Sequence, residues 1–312
     1  MARATYIETT CKSALNRVSG MPFNWSLNPY RGCVHSCHYC YARATHAYYG
    51  MNAGEDFETK IVVKTNFAEV LRRELARPSW SGEYVAIGTA TDAYQPAEGR
   101  FRITRRSLEA LLAYRNPVGI VTKSTLILRD ADLLAELARL TKVRVYFTVT
   151  TLDTELWRLI EPGTPPPLQR LAVLRRLVDA GVPCGVLMAP VLPGITDAIE
   201  SIEAVAAAAT DHGASYFGTS ALRLAPLVKE HFFQFVESAL PAMLPRYQRG
   251  YVGPNAPTAY IEKLTARVED VRARYDFGED SMRKRLPGSA EAIEAGKASR
   301  NQSQPRQLAL TL

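Results

Sequence analysis

Short apolar and β-branched runs, each followed by a stretch with apolar positions three and four residues apart, recur through most of the chain. The runs Trp25-Ser26-Leu27, Tyr84-Val85-Ala86-Ile87, Val118-Gly119-Ile120-Val121, Val143-Arg144-Val145-Tyr146-Phe147, Val182-Pro183-Cys184-Gly185-Val186-Leu187 and Ser215-Tyr216-Phe217 read as six strands. Helical spacing covers residues 108–114, 131–140, 168–180 and 198–210, with Gly181 and Gly213 as C-terminal stops. Strand alternating with helix implies a parallel sheet with right-handed crossovers. The pattern fits a partial barrel or an open doubly wound sheet, and periodicity does not separate them. In either, chemistry gathers where strands end, here at Gly88-Thr89-Ala90-Thr91-Asp92, Thr122-Lys123-Ser124, Thr148-Val149-Thr150-Thr151 and Ala189-Pro190.

Ahead of this alternation lies an N-terminal arm, residues 1–24, and the barrel-like part spans 25–226. The alternation then fades into a helical extension over 227–282, with an aromatic stretch (His231-Phe232-Phe233-Gln234-Phe235) and a second helix over 260–275. Residues 283–312 are Gly/Ser/Gln/Lys-rich and read as a disordered tail.

A chain of 312 residues with 47% hydrophobic content can bury a large core. It has no 18-residue apolar run and no hydrophobic signal-peptide core at its start, so the expectation is a cytoplasmic protein with no membrane segment. The formal charge of +7 is unevenly spread. From residue 283 onward six Lys/Arg stand against two Glu, which leaves +3 for the rest. A nucleic-acid partner would therefore have to be met by a local patch such as Arg100, Arg102, Arg105 and Arg106, or by the tail.

The candidate chemistry is concentrated in Cys33-x3-Cys37-x2-Cys40, three of five cysteines within eight positions. So tight a cluster is no disulfide framework and points to reduced, metal-binding thiols. A zinc site would need a fourth ligand, which His35, His38 or His46 could supply. An ordinary 4Fe-4S cluster would take a fourth thiolate, Cys11 or Cys184. The third option is a cluster held by three cysteines, with one iron open to a small molecule.

Cys-x3-Cys-x-Tyr-Cys, with an aromatic before the third cysteine, resembles the cluster loop of the radical S-adenosylmethionine (SAM) enzymes. Asn28-Pro29-Tyr30-Arg31-Gly32-Cys33, Cys37-His38-Tyr39-Cys40-Tyr41-Ala42-Arg43, Thr91-Asp92-Ala93-Tyr94-Gln95-Pro96-Ala97-Glu98, Thr122-Lys123-Ser124, Arg129-Asp130 and Glu161-Pro162 followed by Arg170 are similar, within that superfamily, to the spore photoproduct lyase-like group. The resemblance covers about residues 10–226. It implies a partial (β/α)6 radical SAM barrel, a 4Fe-4S cluster on Cys33, Cys37 and Cys40, and SAM on the open iron. It further implies an external reductant of flavodoxin or ferredoxin type and a 5'-deoxyadenosyl radical that takes a hydrogen atom from substrate. By the same resemblance Tyr39, Thr91, Lys123, Thr148, Arg170 and the Ala189 backbone form the SAM pocket. Asp92, Tyr94, Gln95 and Glu98, with Arg100, Arg102 and Arg105, are candidates for substrate binding.

The lyase returns a hydrogen from a cysteine at the end of its second strand, where this chain has Gly88-Thr89-Ala90-Thr91-Asp92 and no thiol. A threonine O–H bond is too strong to serve instead. Tyr41, which matches a tyrosine of the lyase relay, and Cys184, one strand-length before Ala189-Pro190, are the catalytic candidates. The expected function is repair or modification of a nucleic-acid base. The alternatives are radical chemistry on a peptide or small metabolite, and a non-enzymatic zinc adaptor. Gln307-Leu308-Ala309-Leu310-Thr311-Leu312 resembles the short peptide by which bacterial repair proteins dock into the sliding clamp.

Overall fold

The computed structural model describes residues 4–275 and Phe277. The expected tail, and with it the clamp-like peptide, lies outside the described residues.

The described residues form ten strands, β1 (Thr5–Thr9), β2 (Asn16–Arg17), β3 (Trp25–Leu27), β4 (Tyr30–Arg31), β5 (Lys60–Lys64), β6 (Val85–Ile87), β7 (Val118–Thr122), β8 (Val143–Thr148), β9 (Cys184–Val191) and β10 (Phe217–Ala221). The six expected from sequence are β3, β6, β7, β8, β9 and β10, and they pair in parallel, in chain order, in one sheet edged by antiparallel β2. Sequential order with a helix behind most strands is the partial-barrel solution, so the open doubly wound alternative falls away. Register aligns the strands: Val118 faces Val85 on one side and Val143 on the other, while Thr148 faces Leu187 at the opposite end. The ends of β6, β7, β8 and β9 therefore share one side of the sheet.

The helices that back this sheet include α2 (Phe67–Leu75), α4 (Ile103–Ala113), α5 (Ala131–Leu140), α7 (Pro167–Asp179) and α8 (Ile199–Asp211), after the shorter α1 (Glu55–Thr59), α3 (Pro96–Phe101) and α6 (Thr154–Ile160). Gly181 and Gly213 follow α7 and α8 with positive φ, as their stop role requires. The apolar positions that gave the helices their period pack on Ile87, Ile120, Val145, Phe147 and Val186 in one core.

Two features were absent from the sequence pattern. A second, three-stranded sheet joins β1 and β4 to opposite edges of β5, parallel and antiparallel respectively. The N-terminal arm is thus woven into the fold, with β1 in this small sheet and β2 on the barrel sheet. In the extension, α9 (Pro226–Ala239) and α10 (Leu244–Gly250) build a separate apolar cluster that takes in Cys37 and Tyr39, while α11 (Thr258–Ala273) buries Leu264, Val268 and Val271 in the barrel core. No helix among the described residues is long and apolar enough to cross a membrane.

Candidate active site

The cysteine loop leaves β4 at Gly32 and ends in the 3-10 stretch Tyr41–Tyr49. Gly32 has φ +77°, and a Cβ there would lie 2.9 Å from the carbonyl oxygens of both Phe57 and Lys60, so only glycine fits the exit. The loop is bound from three directions. Below, Thr91 Oγ1 and Gln95 Nε2 donate to Gly32 O at 2.6 and 2.9 Å. From the side, Gly163 N donates to His35 O and His38 N to Ile160 O, at 3.1 and 3.2 Å. From within, the buried Arg43 donates to Cys37 O at 3.0 Å and Ser36 O at 3.1 Å and pairs with Glu58 at 2.5 Å.

Cys33 and Cys37 are buried and Cys40 half-buried. Burial, together with the neighbouring thiols, raises the pKa of Cys33. Burial pushes Cys37 up to about 12, against the opposing pull of Lys123. Cys33 lies within the field of Cys37 and Cys40, and Cys37 within that of Cys40. The Cys184 thiol is raised by burial alone and Cys11 by burial, with Lys64 and Glu74 as its charged neighbours, so neither is a fourth member of the set.

Among the described residues, no three His, Cys, Asp or Glu side chains are gathered at the spacing of a single metal ion. Each histidine considered for zinc has one ring nitrogen engaged, and none is gathered with two of the thiols. His35 Nδ1 lies 3.3 Å from Asp92, His46 Nε2 lies 3.0 Å from Lys60 O, and His38 Nδ1 lies 3.4 Å from His231 Nε2. One zinc would need its ligands within about 2.0–2.3 Å of a single point. Thiolates on separate irons of a cluster stand farther apart, so the donor set fits a three-cysteine cluster with one open iron better than zinc.

Beside Cys37 lies a carboxylate hub. Glu161, fully buried after α6, accepts from Tyr39 OH, from Thr150 Oγ1 at 2.7 Å and from Arg170 Nη2 at 2.5 Å. Burial alone would raise its pKa, but Arg170 and Lys123 outweigh that and hold it down at about 2. Arg170, also fully buried, spends its other donors on Thr148 O at 2.8 Å, Pro165 O at 2.8 Å and Thr164 Oγ1 at 2.5 Å. Lys123 differs from both. Its backbone N donates to Asp92 at 2.8 Å, but its ammonium lies 5.5 Å over the Tyr39 ring and finds no hydrogen-bond acceptor among the described residues. Burial pulls its pKa down, and the nearby thiols and Glu161 more than reverse this, leaving it raised.

Several sequence expectations change here. Arg170 has no open face for SAM, because its guanidinium is enclosed by Glu161, Thr164 and two carbonyls. The Thr91 hydroxyl is committed to the loop through Gly32 O. Asp92 is a brace rather than a substrate contact. It accepts from Thr122 Oγ1 at 2.8 Å and Tyr94 N at 2.9 Å and faces His35; burial opposes its charge, but these partners hold its pKa at about 2. Tyr94, Gln95 and Glu98, expected as substrate contacts, are fully buried and turned into the protein. Glu98 ties Tyr30 OH at 2.5 Å, Thr104 N at 2.8 Å and Arg129 at 2.8 Å into a second hub that Asp130 completes.

The arginine patch is not a free basic rim. Arg105 is neutralised by Asp130, Asp132 and Glu109 at 2.8, 3.2 and 3.6 Å. Arg100 covers Phe101 and Tyr6 at 4.8 and 5.7 Å, against the small outer sheet; exposed Arg102 joins α3 to α4. Cys184 is the first residue of β9, paired with Val145. Five residues of strand separate it from Ala189, roughly 16 Å at the rise of an extended chain. Its thiol belongs to the core at the far end of the barrel, away from the loop.

Tyr41 stands at the strand-end side, 55% exposed, with its hydroxyl donating to Thr89 O just past β6. Ala189 is half-buried near the end of β9, and Thr148 caps β8 with its carbonyl on Arg170. Sequence reasoning missed the roof. His38 stacks on Phe235 of α9 at 4.1 Å and 8°, with His231 next in the stack at 5.5 Å. Burial and Arg43 lower the pKa of His38 to about 4, and burial with Arg43 and His38 lowers His231 to about 3, so both rings are neutral near pH 7. Only the aromatic run of α9 signalled this contact in the sequence.

The family model for the radical SAM superfamily matches residues 27–206. An uncharacterised protein of Mycobacterium tuberculosis is 44% identical over 283 residues, 88% of this chain and 82% of that one. An uncharacterised protein of Methanocaldococcus jannaschii is 28% identical over 191 residues, 61% and 69% of the two chains. Among solved structures, spore photoproduct lyase complexed with dinucleoside spore photoproduct superposes with a TM-score of 0.65 at 16% identity, over 86% of this chain and 79% of that one. SuiB of Streptococcus suis bound to S-adenosylmethionine gives 0.52 at 14% identity, over 82% and 48%.

Proposed function

The chain belongs to the radical SAM superfamily, and from that premise we propose that this enzyme repairs or modifies a nucleic-acid base by hydrogen-atom abstraction. Three thiols on one loop beside the strand ends, with an unspent lysine next to them, support the chemistry. Likeness in fold to spore photoproduct lyase, solved with a dinucleoside photoproduct, supports the substrate class.

In this reading Cys33, Cys37 and Cys40 hold a 4Fe-4S cluster. When bound, the cluster and SAM supply a 5'-deoxyadenosyl radical able to take a hydrogen atom from an unactivated carbon. The chain's own residues do the rest. Lys123 offers a free ammonium to a carboxylate beside Cys37, and Tyr39 offers a ring held in place by Glu161. Arg170 acts at one remove, fixing Glu161 and the Thr148 carbonyl so that both keep their orientation. Thr91 and Gln95 brace the loop from below, and Phe235 with His38 excludes water from above. Tyr41 is the candidate for returning a hydrogen atom, since a phenol O–H bond is weaker than that of threonine and its hydroxyl lies at Thr89, where the lyase-like thiol is missing.

The test uses anaerobic protein with reductant, SAM and DNA deuterated on its bases, either ultraviolet-irradiated, alkylated or undamaged. Deuterium appearing in 5'-deoxyadenosine from one of these DNAs identifies the base as hydrogen donor, and Tyr41→Phe then slows product formation while sparing deuterium uptake. Formation of 5'-deoxyadenosine with neither label nor stimulation from any DNA contradicts the nucleic-acid reading and favours a peptide or small metabolite.

A further inference from the structure

A cavity of about 200 Å³ opens at the helical extension between Pro193, Arg246, Tyr247, Tyr251 and Tyr260. Pro193 lies two residues past the end of β9, so the cavity is on the strand-end side of the barrel, the side that carries Lys123 and Thr148. Its volume is below the roughly 300–1,000 Å³ of a site for a whole cofactor, and is of a size for a single ring system.

The tyrosines turn their hydroxyls away into the protein. Tyr247 donates to Pro193 O at 3.0 Å, Tyr251 to Leu222 O at 3.0 Å and Tyr260 to Asp197 Oδ2 at 3.1 Å. Tyr247 and Tyr251 are buried and stack on each other at 5.7 Å, so Tyr260 is the partly exposed ring of the three. The cavity lining is mostly apolar. At its lip lies the Arg246 guanidinium, seated over Gly194. A Cβ on Gly194 would come within 2.7 Å of Arg246 Nη1, and the φ of +73° excludes most other residues there in any case. No carboxylate or hydrogen-bond acceptor among the described residues engages this guanidinium. Asp197, close by, spends Oδ1 on Gly194 N at 2.7 Å and Oδ2 on Tyr260. From residue 238 to residue 261 the chain carries Arg246 and Arg249 and no Asp or Glu.

An apolar recess with an unspent guanidinium at its rim suits an aromatic ring joined to an anion. We propose that this cavity is a nucleotide subsite, taking a base next to the reacting one and holding its phosphate on Arg246. The assignment rests on the nucleic-acid reading above and adds to it the means by which the strand is held beside the barrel. A base stacks on an aromatic face whatever its sequence, here on Tyr260, and guanidinium matches phosphate through paired hydrogen bonds where an ammonium does not.

The experiment is fluorescence anisotropy of labelled single-stranded oligothymidylate with the full chain across a salt series. Arg246→Ala should weaken binding about tenfold and reduce the log–log salt slope by about one, as the loss of one phosphate contact requires. Gly250→Leu should fill the recess, since a Cβ there meets nothing within 4 Å; it should weaken binding comparably and leave the slope unchanged. Arg249→Ala, on the same helix but outside the cavity, should change affinity less than twofold. DNA-independent SAM cleavage and melting temperature should match the parent in all three. If the parent binds the oligonucleotide and both Arg246→Ala and Gly250→Leu bind it equally well, the subsite is wrong and the nucleic-acid reading stands. If the parent binds no oligonucleotide but binds a proline-rich peptide that Gly250→Leu blocks, both are overturned.

Discussion

Glu98 and Glu161 are both fully buried carboxylates, each bonded to a tyrosine, an arginine and the neighbourhood of a threonine, yet they do different work. Around Glu98 every charge is answered. Tyr30, Thr104, Arg105 and Arg129 satisfy it, and Asp130 takes the remaining reach of Arg129 and Arg105. That hub is a bolt holding β4, and thus the start of the cysteine loop, to α3, α4 and the segment after β7. Around Glu161 the answers stop one short, because Lys123 lies within its field with an ammonium that bonds to nothing among the described residues. Of the two buried ionic networks, the second leaves a charge unspent, and that charge is the one the proposed function assigns to binding.

The largest expected effect comes from breaking the open hub. Glu161→Ala strands Arg170 at 0% exposure, and loss of one partner of a buried pair costs about 3–5 kcal/mol; denaturant unfolding should show this, with loss of SAM cleavage. Glu98→Ala should cost less, about 1–3 kcal/mol, because Arg129 keeps Asp130 and is partly solvated, and should leave SAM cleavage within a few-fold of the parent. Equal catalytic losses in the two would erase the distinction between bolt and site.

Lys123→Met sharpens the comparison from the other side. Since the ammonium has no bond to lose, stability should hold within about 1 kcal/mol, while SAM affinity measured by equilibrium dialysis should fall at least tenfold. Alkylation of Cys37 in cluster-free protein should also slow, because Lys123 is the larger of two charges, with Arg170, that draw its pKa down against burial.

Acid should expose the same hubs. Glu161 and Asp92 have folded pKa values of about 2, below the roughly 4 of an unfolded carboxyl. Their stabilising contribution is complete above that unfolded value and is lost as pH falls from about 4 toward about 2. Unfolding free energy should therefore drop steeply over that window, and Glu161→Gln should flatten part of the slope.

The six strands and four of the helices were legible because hydrophobic period survives in a single sequence. The small sheet was not, since β1 and β5 pair across more than fifty residues and β4 is only two residues long. In the site, spacing picked out Cys33, Cys37 and Cys40, but residue type alone cannot tell a ligand from a brace. Thr91, Gln95, Glu98 and Arg170 all belong to motifs that resemble a family's binding residues, and burial turns each of them inward. The His38–His231 contact joins positions 193 apart and follows only from how α9 lies over the loop. Cys184 misled for a related reason: strand membership was evident, whereas which end of β9 it occupied depended on where the strand began. Cys184→Ala should accordingly have the smallest effect, about 1 kcal/mol of stability, with SAM cleavage unchanged.

The most direct test of the three-thiol site is iron analysis and 5'-deoxyadenosine formation in anaerobically reconstituted parent, Cys37→Ala and Cys184→Ala proteins, each reduced in the presence of SAM. The account predicts four irons per chain and SAM cleavage in the parent and in Cys184→Ala, and neither a stable cluster nor cleavage in Cys37→Ala. Cleavage that survives Cys37→Ala, or a cluster that is lost with Cys184, would contradict it.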